Sequence, residues 1–248
     1  MLDREVIKSL TLYCTLPITL VSTGGFVAVS HFRSRRSTEA IDFMLDPNTN
    51  IANSFIRKAV LNTQKVVANL KFNGRRQPSS DVETIQRKVL QELTHAVETV
   101  ASNKNLSTSW MNHIADTCIT DQVRERLFTE SKEQNVVLWK SPSLIIYASA
   151  WEWSLASKLE QLDSHRELDK TTTLEEPSRS HKRAEDLSDA AILLHKVIQK
   201  RKLQQITRQF FTDLGQYICS PIQEDVIQKI KTAFINRYGN NVVSFEGV

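Results

Sequence analysis

Residues 9–32 read SLTLYCTLPITLVSTGGFVAVSHF, a run of 24 positions without Asp, Glu, Lys or Arg. As one helix this run would extend about 36 Å at the usual rise per residue, enough to cross a bilayer core of roughly 30 Å. Its polar side chains are chiefly Ser and Thr, whose hydroxyls can bond back to carbonyls of their own helix. Pro17 and the Gly24–Gly25 pair would weaken a water-exposed helix, whereas membrane spans tolerate both. The stretch predicts a single transmembrane helix over residues 9–32.

The flanks orient it. Arg33, Arg35 and Arg36 follow at once, in the cluster RSRR, which the positive-inside rule places in the cytoplasm. The expected layout is a short extracytoplasmic segment at residues 1–8, one span, and the bulk of the chain in the cytoplasm at the cell membrane. A secretory signal cleaved after Ser30 is the competing reading. Ala28 and Ser30 would hold the −3 and −1 positions, and an exported helical protein would remain. A buried core helix is the third. Against cleavage, Asp3, Arg4, Glu5 and Lys8 cancel in charge, where a signal carries net positive charge. The same acidic residues argue against a mitochondrial transit peptide.

The rest of the composition points to helices. The 248 residues carry 32 basic and 28 acidic side chains, a formal charge of +4, and are 40% apolar. Six Gly and six Pro are few for a chain that would need the many turns of an all-β fold. Three cysteines, at 14, 118 and 219, cannot form a disulfide framework. The fold class predicted is all-α, a helical bundle behind the span.

Working along the chain, Thr38 to Leu45 reads as an amphipathic continuation of the span, and Asp46-Pro47 as a cap with first-turn proline. From Ile51 to Phe72 apolar residues, Ile51 through Leu70, recur at helical spacing. Ser80 to Glu83 is a capping box for a helix to about Ser102, with Val82, Ile85, Val89, Leu93, Ala96, Val97 and Val100 on one face. Shorter helices are expected over 108–119 and 121–134. Asn135 to Lys140 is the one β-branched run; without an evident partner strand it reads as a connection or a helix end. Ser141-Pro142 then opens a helix to about Leu168. Residues 170–183, KTTTLEEPSRSHKR, form the clearest linker. It separates a bundle domain at 33–169 from a carboxy-terminal segment at 184–248. That segment holds a long helix from Glu185 to about Ile218 and a last one, behind Ser220-Pro221, stopping near Gly239.

Chemistry is sparse. Glu92 and His95 have the i, i+3 spacing of half a di-iron bundle site, yet no second Glu-x-x-His exists, so a surface charge pair is the reading. His113, Asp116 and Cys118 cluster near a helix end and are the candidate residues of an enzyme with a non-consecutive site. No CxxC pair, phosphate-binding glycine loop, GxSxG or HExxH occurs, so no cofactor or metal is expected. Trp151 and Trp153 point about 200° apart on a helix, which predicts one in the core and one at a surface or interface. Lys196, Lys200, Arg201, Lys202 and Arg208 crowd one stretch. It reads first as a solvated helix face and second as a contact for anionic lipid headgroups, which the basic flank Arg33, Arg35 and Arg36 would share. Nucleic-acid binding ranks last, because the aromatic interleaving of single-strand binders is missing.

Amphipathic helices without a pocket signature bind other helices. The candidate interaction face is Leu187, Leu194, Ile198, Ile206, Phe210 and Leu214. The function expected is therefore a membrane-anchored, non-enzymatic adaptor or regulator that recruits a protein partner or self-associates.

Overall fold

The apolar run at 9–32 does not form one helix. In a computed structural model, which describes residues 1–46, 81–113, 119–171 and 177–247, it divides into four short elements. Two helical turns come first, α1 (Leu2–Val6) just before the run and α2 (Leu10–Tyr13) inside it. The Ser9 side chain accepts from the Leu12 amide at 3.3 Å and so caps α2. The Thr15 hydroxyl donates to the Leu12 carbonyl at 2.9 Å and closes its other end. Pro17 follows, and Ile18 donates its amide across to the Ser143 carbonyl at 2.9 Å. From there the β-branched sequence ITLVST runs as a strand, β1 (Ile18–Thr23).

β1 is the middle strand of a five-stranded mixed sheet, ordered β3-β2-β1-β5-β4. It pairs antiparallel with β2 (Ile41–Leu45), in the register Leu20 to Leu45 and Ser22 to Asp42. On its other side it pairs parallel with β5 (Leu144–Ala148), Ile18 facing Leu144. β3 (Met111–Asn112) lies parallel on β2, and β4 (Val137–Lys140) antiparallel on β5. A central strand is covered on both faces, so its sequence is apolar without alternation. Ile18, Leu20 and Val21 are all fully buried. Each such side chain contributes about 1.5–3 kcal/mol when taken from water. Gly24 turns the chain with φ +67°, and a Cβ on Gly25, at the start of helical turn α3 (Gly25–Val27), would collide with the Thr38 side chain.

The all-α expectation is thus corrected to a mixed α/β fold, and the transmembrane helix to a strand with short helical turns on either side. Among the described residues no helix is long and apolar enough to cross a membrane. The single-pass placement loses the span it rested on. Three further stretches change type for the same reason, partner strands: Met111–Asn112, within the helix expected over 108–119, supply β3. Residues 38–45 supply β2 rather than a helix, and 141–148 supply β5 rather than the first turns of one. Asn135 to Lys140 has its partner after all, in β5.

The chain folds into two units. The first holds residues 1–27, 37–120 and 131–148; the second holds 28–36, 121–130 and 149–248. In the first unit, α4 (Asp81–Lys104) carries the stripe read from the sequence: Val89, Leu93, Ala96, Val97 and Val100 are buried. Val89, Leu93, Ala96 and Val97 join Val6 and Leu12 against Ile18, Leu20, Phe43, Leu45, Leu144 and Ile146 of the sheet. The predicted helix over residues 51–72 lies outside the described residues.

The second unit is helical apart from a two-stranded ribbon. The π-turn Ala28–Phe32 leads into it, α5 (Asp121–Gln134) lends it its first ten residues, and α6 (Trp151–Thr171) packs against α7 (Pro177–Arg201). These two helices reach into the expected linker from both sides; residues 172–176 lie outside the described residues. The long helix predicted to Ile218 stops at Arg201. Lys202 turns with φ 53°, β6 (Gln205–Thr207) pairs parallel with β7 (Ser244–Glu246), and α8 (Arg208–Ile218) starts anew. α8 packs on α6, and α9 (Glu224–Tyr238) on α7.

Candidate functional site

Where α8 gives way to α9, the second unit opens into a groove of about 640 Å³. α8 ends at Cys219, which adopts a left-handed conformation (φ 54°, ψ 26°) and donates its amide to the Gly215 carbonyl. Ser220 donates to the same carbonyl at 3.2 Å. Glycine is required there: a Cβ on Gly215 would stand 2.7 Å from the Ser220 carbonyl oxygen. This close turn sets Pro221 and Ile222 opposite the last turns of α8. Phe211, Gly215 and Ile227 are buried apolar wall. Thr212 and Gln216 stand exposed at the rim, with Gln223 half-buried beside them. The two charged groups of the groove, Arg208 and Glu224, bond each other across it. Glu224, accepting from Gln228 and from Arg208, is held below the ordinary carboxylate range. The groove is therefore neutral, apolar within and lined at the edge by hydroxyl and amide groups.

A second constellation is buried in the same unit. Arg35 reaches Glu185 at 3.1 Å, Asp186 at 3.1 Å and Asp189 at 2.7 Å, all on α7. Lys158 of α6 bonds Asp186 at 2.8 Å, and the Ser34 hydroxyl donates to Asp189 at 3.1 Å. Burial works against the Asp186 charge, but Lys158 and Arg35 outweigh it and hold the carboxyl below its ordinary value. Asp189 differs. Burial pushes it up in spite of Arg35, Lys158 and Ser34. Two carboxylates three residues apart thus diverge because Lys158 bonds one of them directly. Farther along α6, Glu152 accepts from Lys200 at 2.8 Å and Arg201 at 3.0 Å. These bonds overcome its burial and lower its pKa.

The residues singled out from the sequence are spread among these features. Of the basic cluster, Arg35 is the half-buried centre of the carboxylate network, while Arg33 and Arg36 are exposed. In the candidate interaction face, Leu194, Ile198, Ile206, Phe210 and Leu214 are buried in the second unit and Leu187 is half-buried. They pack within their own unit. Trp151 and Trp153 are both buried, at 5% and 4% exposure. Neither takes an exposed position. His113 lies 6.2 Å from the Phe43 ring; Asp116 and Cys118 lie outside the described residues. Glu92 is half-buried and His95 exposed.

Sequence reading missed the buried carboxylates and the groove. The signal for the first was present: Asp186 and Asp189 fall among Leu187, Ala190 and Ala191 on an apolar stripe, where a charge implies a partner. For the groove the signal was Gly215, a lone glycine near the end of a periodic helix, just ahead of Ser220-Pro221.

A family model described as "Domain of unknown function (DUF7582)" matches residues 53–241. That is more than half of the chain, and the chain belongs to this family. No curated protein and no solved structure matches it.

Proposed function

We propose that this member of the DUF7582 family works by binding, and that the α8–α9 groove receives an uncharged, apolar segment of a partner protein. The observation that carries the reading is the charge balance of the groove. Arg208 and Glu224 satisfy each other, so a charged ligand would have to break that pair. An apolar segment gains by covering Phe211, Ile222 and Ile227, at about 25 cal/mol per Å² of apolar surface. Its peptide groups find donors and acceptors in Thr212, Gln216 and Gln223. The groove is more open than enclosed, which suits a chain segment better than a small molecule.

The test is selection of a random peptide library on the full-length chain, with Thr212→Arg as counter-selection. Thr212 is exposed, so the arginine obstructs the groove without entering the core. Enrichment of peptides that share apolar anchors, carry little net charge and bind the variant at least tenfold more weakly is the expected result. If enriched peptides bind both forms alike, the groove is not the site. Sedimentation equilibrium serves as the second arm. A wild-type dimer that Thr212→Arg dissociates would identify the occupant as a second copy and overturn the partner reading.

A further inference from the structure

The two walls of the groove offer a ligand different groups. α8 lines it through Phe211, Thr212, Gly215 and Gln216, one face of the helix at steps of three and one. The main chain of α8 bonds along its own axis, so this wall offers side chains. The opposite wall is the turn Ser220, Pro221, Ile222 and Gln223, and part of its main chain is unspent. Cys219 and Ser220 give their amides to the Gly215 carbonyl, and Pro221 has no amide to give. Gln223, extended at φ −73° and ψ 147°, gives its carbonyl to the amides of Val226 and Ile227, both at 3.1 Å. Between these, the amide and the carbonyl of Ile222 bond to no other group among the described residues. Ile222 is half-buried in the wall.

We infer that the partner segment lies in the groove as an extended strand, its main chain paired with Ile222, and not as a helix. This rests on the groove being the binding site, as proposed above. Covering the groove takes the Ile222 amide and carbonyl out of water. A main-chain group buried without a partner costs about as much as a lost hydrogen bond. An amphipathic helix keeps its main-chain groups for its own turns and would leave those of Ile222 unpaired. An extended segment returns one donor and one acceptor from a single residue, since two strand residues facing each other can exchange both bonds. Side chains of such a segment alternate in direction, so every second one is set against the apolar wall of Phe211 and Ile227, which are 1% and 3% exposed. Charge complementarity limits that inward set. Arg208 and Glu224 already bond each other, so the groove matches a segment with uncharged side chains at its inward positions. The recognised pattern is apolar at i and i+2, where a docked helix would show i, i+3 and i+4.

The test takes peptides that the full-length chain selects and Thr212→Arg rejects, and methylates their main-chain nitrogens one position at a time. Methylation on the ligand leaves the folding of the chain untouched. For a paired strand, one position should lose affinity about tenfold, the worth of a main-chain hydrogen bond, while its two neighbours tolerate the methyl group. Alanine replacement along the same peptides should find the anchors two residues apart. On the protein side, Ile222→Pro removes the amide and should weaken the peptide to a similar degree. Ile222→Val keeps the amide and should retain the parent's affinity. Loss on methylation at every interior position, with anchors three and four apart, marks a bound helix. That result overturns the strand and leaves the groove as the site. Equal affinity of Ile222→Pro and the parent has the same consequence. A selection that yields no peptide sensitive to Thr212→Arg removes the groove itself, and the strand with it.

Discussion

Arg35 Nη2 lies 2.7 Å from the Asp189 carboxylate inside the second unit, and the same nitrogen donates to Asp186 at 3.1 Å. One guanidinium from a nine-residue segment, 28–36, thus compensates two carboxylates that are each less than 5% exposed. Removing one partner of a buried ion pair leaves an uncompensated charge, which costs more than the pair itself contributes.

Arg35→Met should therefore destabilise the second unit by about 3 kcal/mol. Arg36→Ala, an exposed arginine one position away, should change stability by less than about 0.5 kcal/mol. Urea unfolding followed through the fluorescence of buried Trp151 and Trp153 separates the two. Equal midpoints for both variants would contradict the compensating role of Arg35.

Asp186 and Asp189 should titrate stability in opposite senses. The folded pKa of Asp186 is lowered, so its contribution is full above the ordinary carboxylate value and drains away as pH falls through the lowered one. That of Asp189 is raised, so its burial penalty is absent in acid and grows as pH climbs from the ordinary value to the raised one. The loss on Asp186→Asn should shrink as pH is lowered from neutral. Asp189→Asn should be nearly neutral at pH 7 and fall behind the parent in acid. Parallel pH profiles for the two variants would show that Lys158 does not distinguish them.

Trp139 projects from the edge strand β4 with 53% exposure, while Trp151 and Trp153 are buried. Acrylamide should quench one class of tryptophan strongly in the folded chain, and Trp139→Phe should abolish most of that accessible emission. The substitution should cost less than about 0.5 kcal/mol. Persistence of the quenchable class in the variant would place the exposed indole elsewhere.

Gly215→Ala sets two effects against each other. Alanine in a helix gains about 1 kcal/mol over glycine, but this Cβ would meet the Ser220 carbonyl oxygen at 2.7 Å. Backbone rather than a movable side chain receives the clash, so overpacking at about 1–3 kcal/mol wins. Thermal unfolding should show a lowered midpoint. A raised midpoint would mean that the turn after α8 is free to shift.

Much of the helical structure was legible in advance. The capping box at Ser80–Glu83 precedes a helix observed over Asp81–Lys104. Ser220-Pro221 precedes one over Glu224–Tyr238, ending at Gly239 as read. Both are long amphipathic segments whose period and caps are local properties. The strands were not legible in the same way. β5, LIIYA, alternates buried and half-buried, yet Leu144, Ile145 and Ala148 also match a helical stripe, and a window this short does not distinguish the two periods. Of the candidate site, the basic residues were visible, but which of them lie paired was not. Arg35 differs from Arg33 and Arg36 through contacts made 150 residues away, on α7.

The sequence by itself determined that residues 9–32 carry no Asp, Glu, Lys or Arg, that six glycines and six prolines leave room for many helices, and where several of those helices begin. Only the tertiary structure decided which part of the run leaves water: Ile18, Leu20 and Val21 are buried, while Leu10 and Tyr13 stand exposed. A stretch without charge is equally content in hydrocarbon or in the centre of a sheet, because the hydrophobic effect rewards removal from water and not the medium entered. The choice depends on whether backbone partners exist elsewhere in the chain. Here β2 and β5, at residues 41–45 and 144–148, supply them, and residues 18–23 of the run become the middle of the sheet.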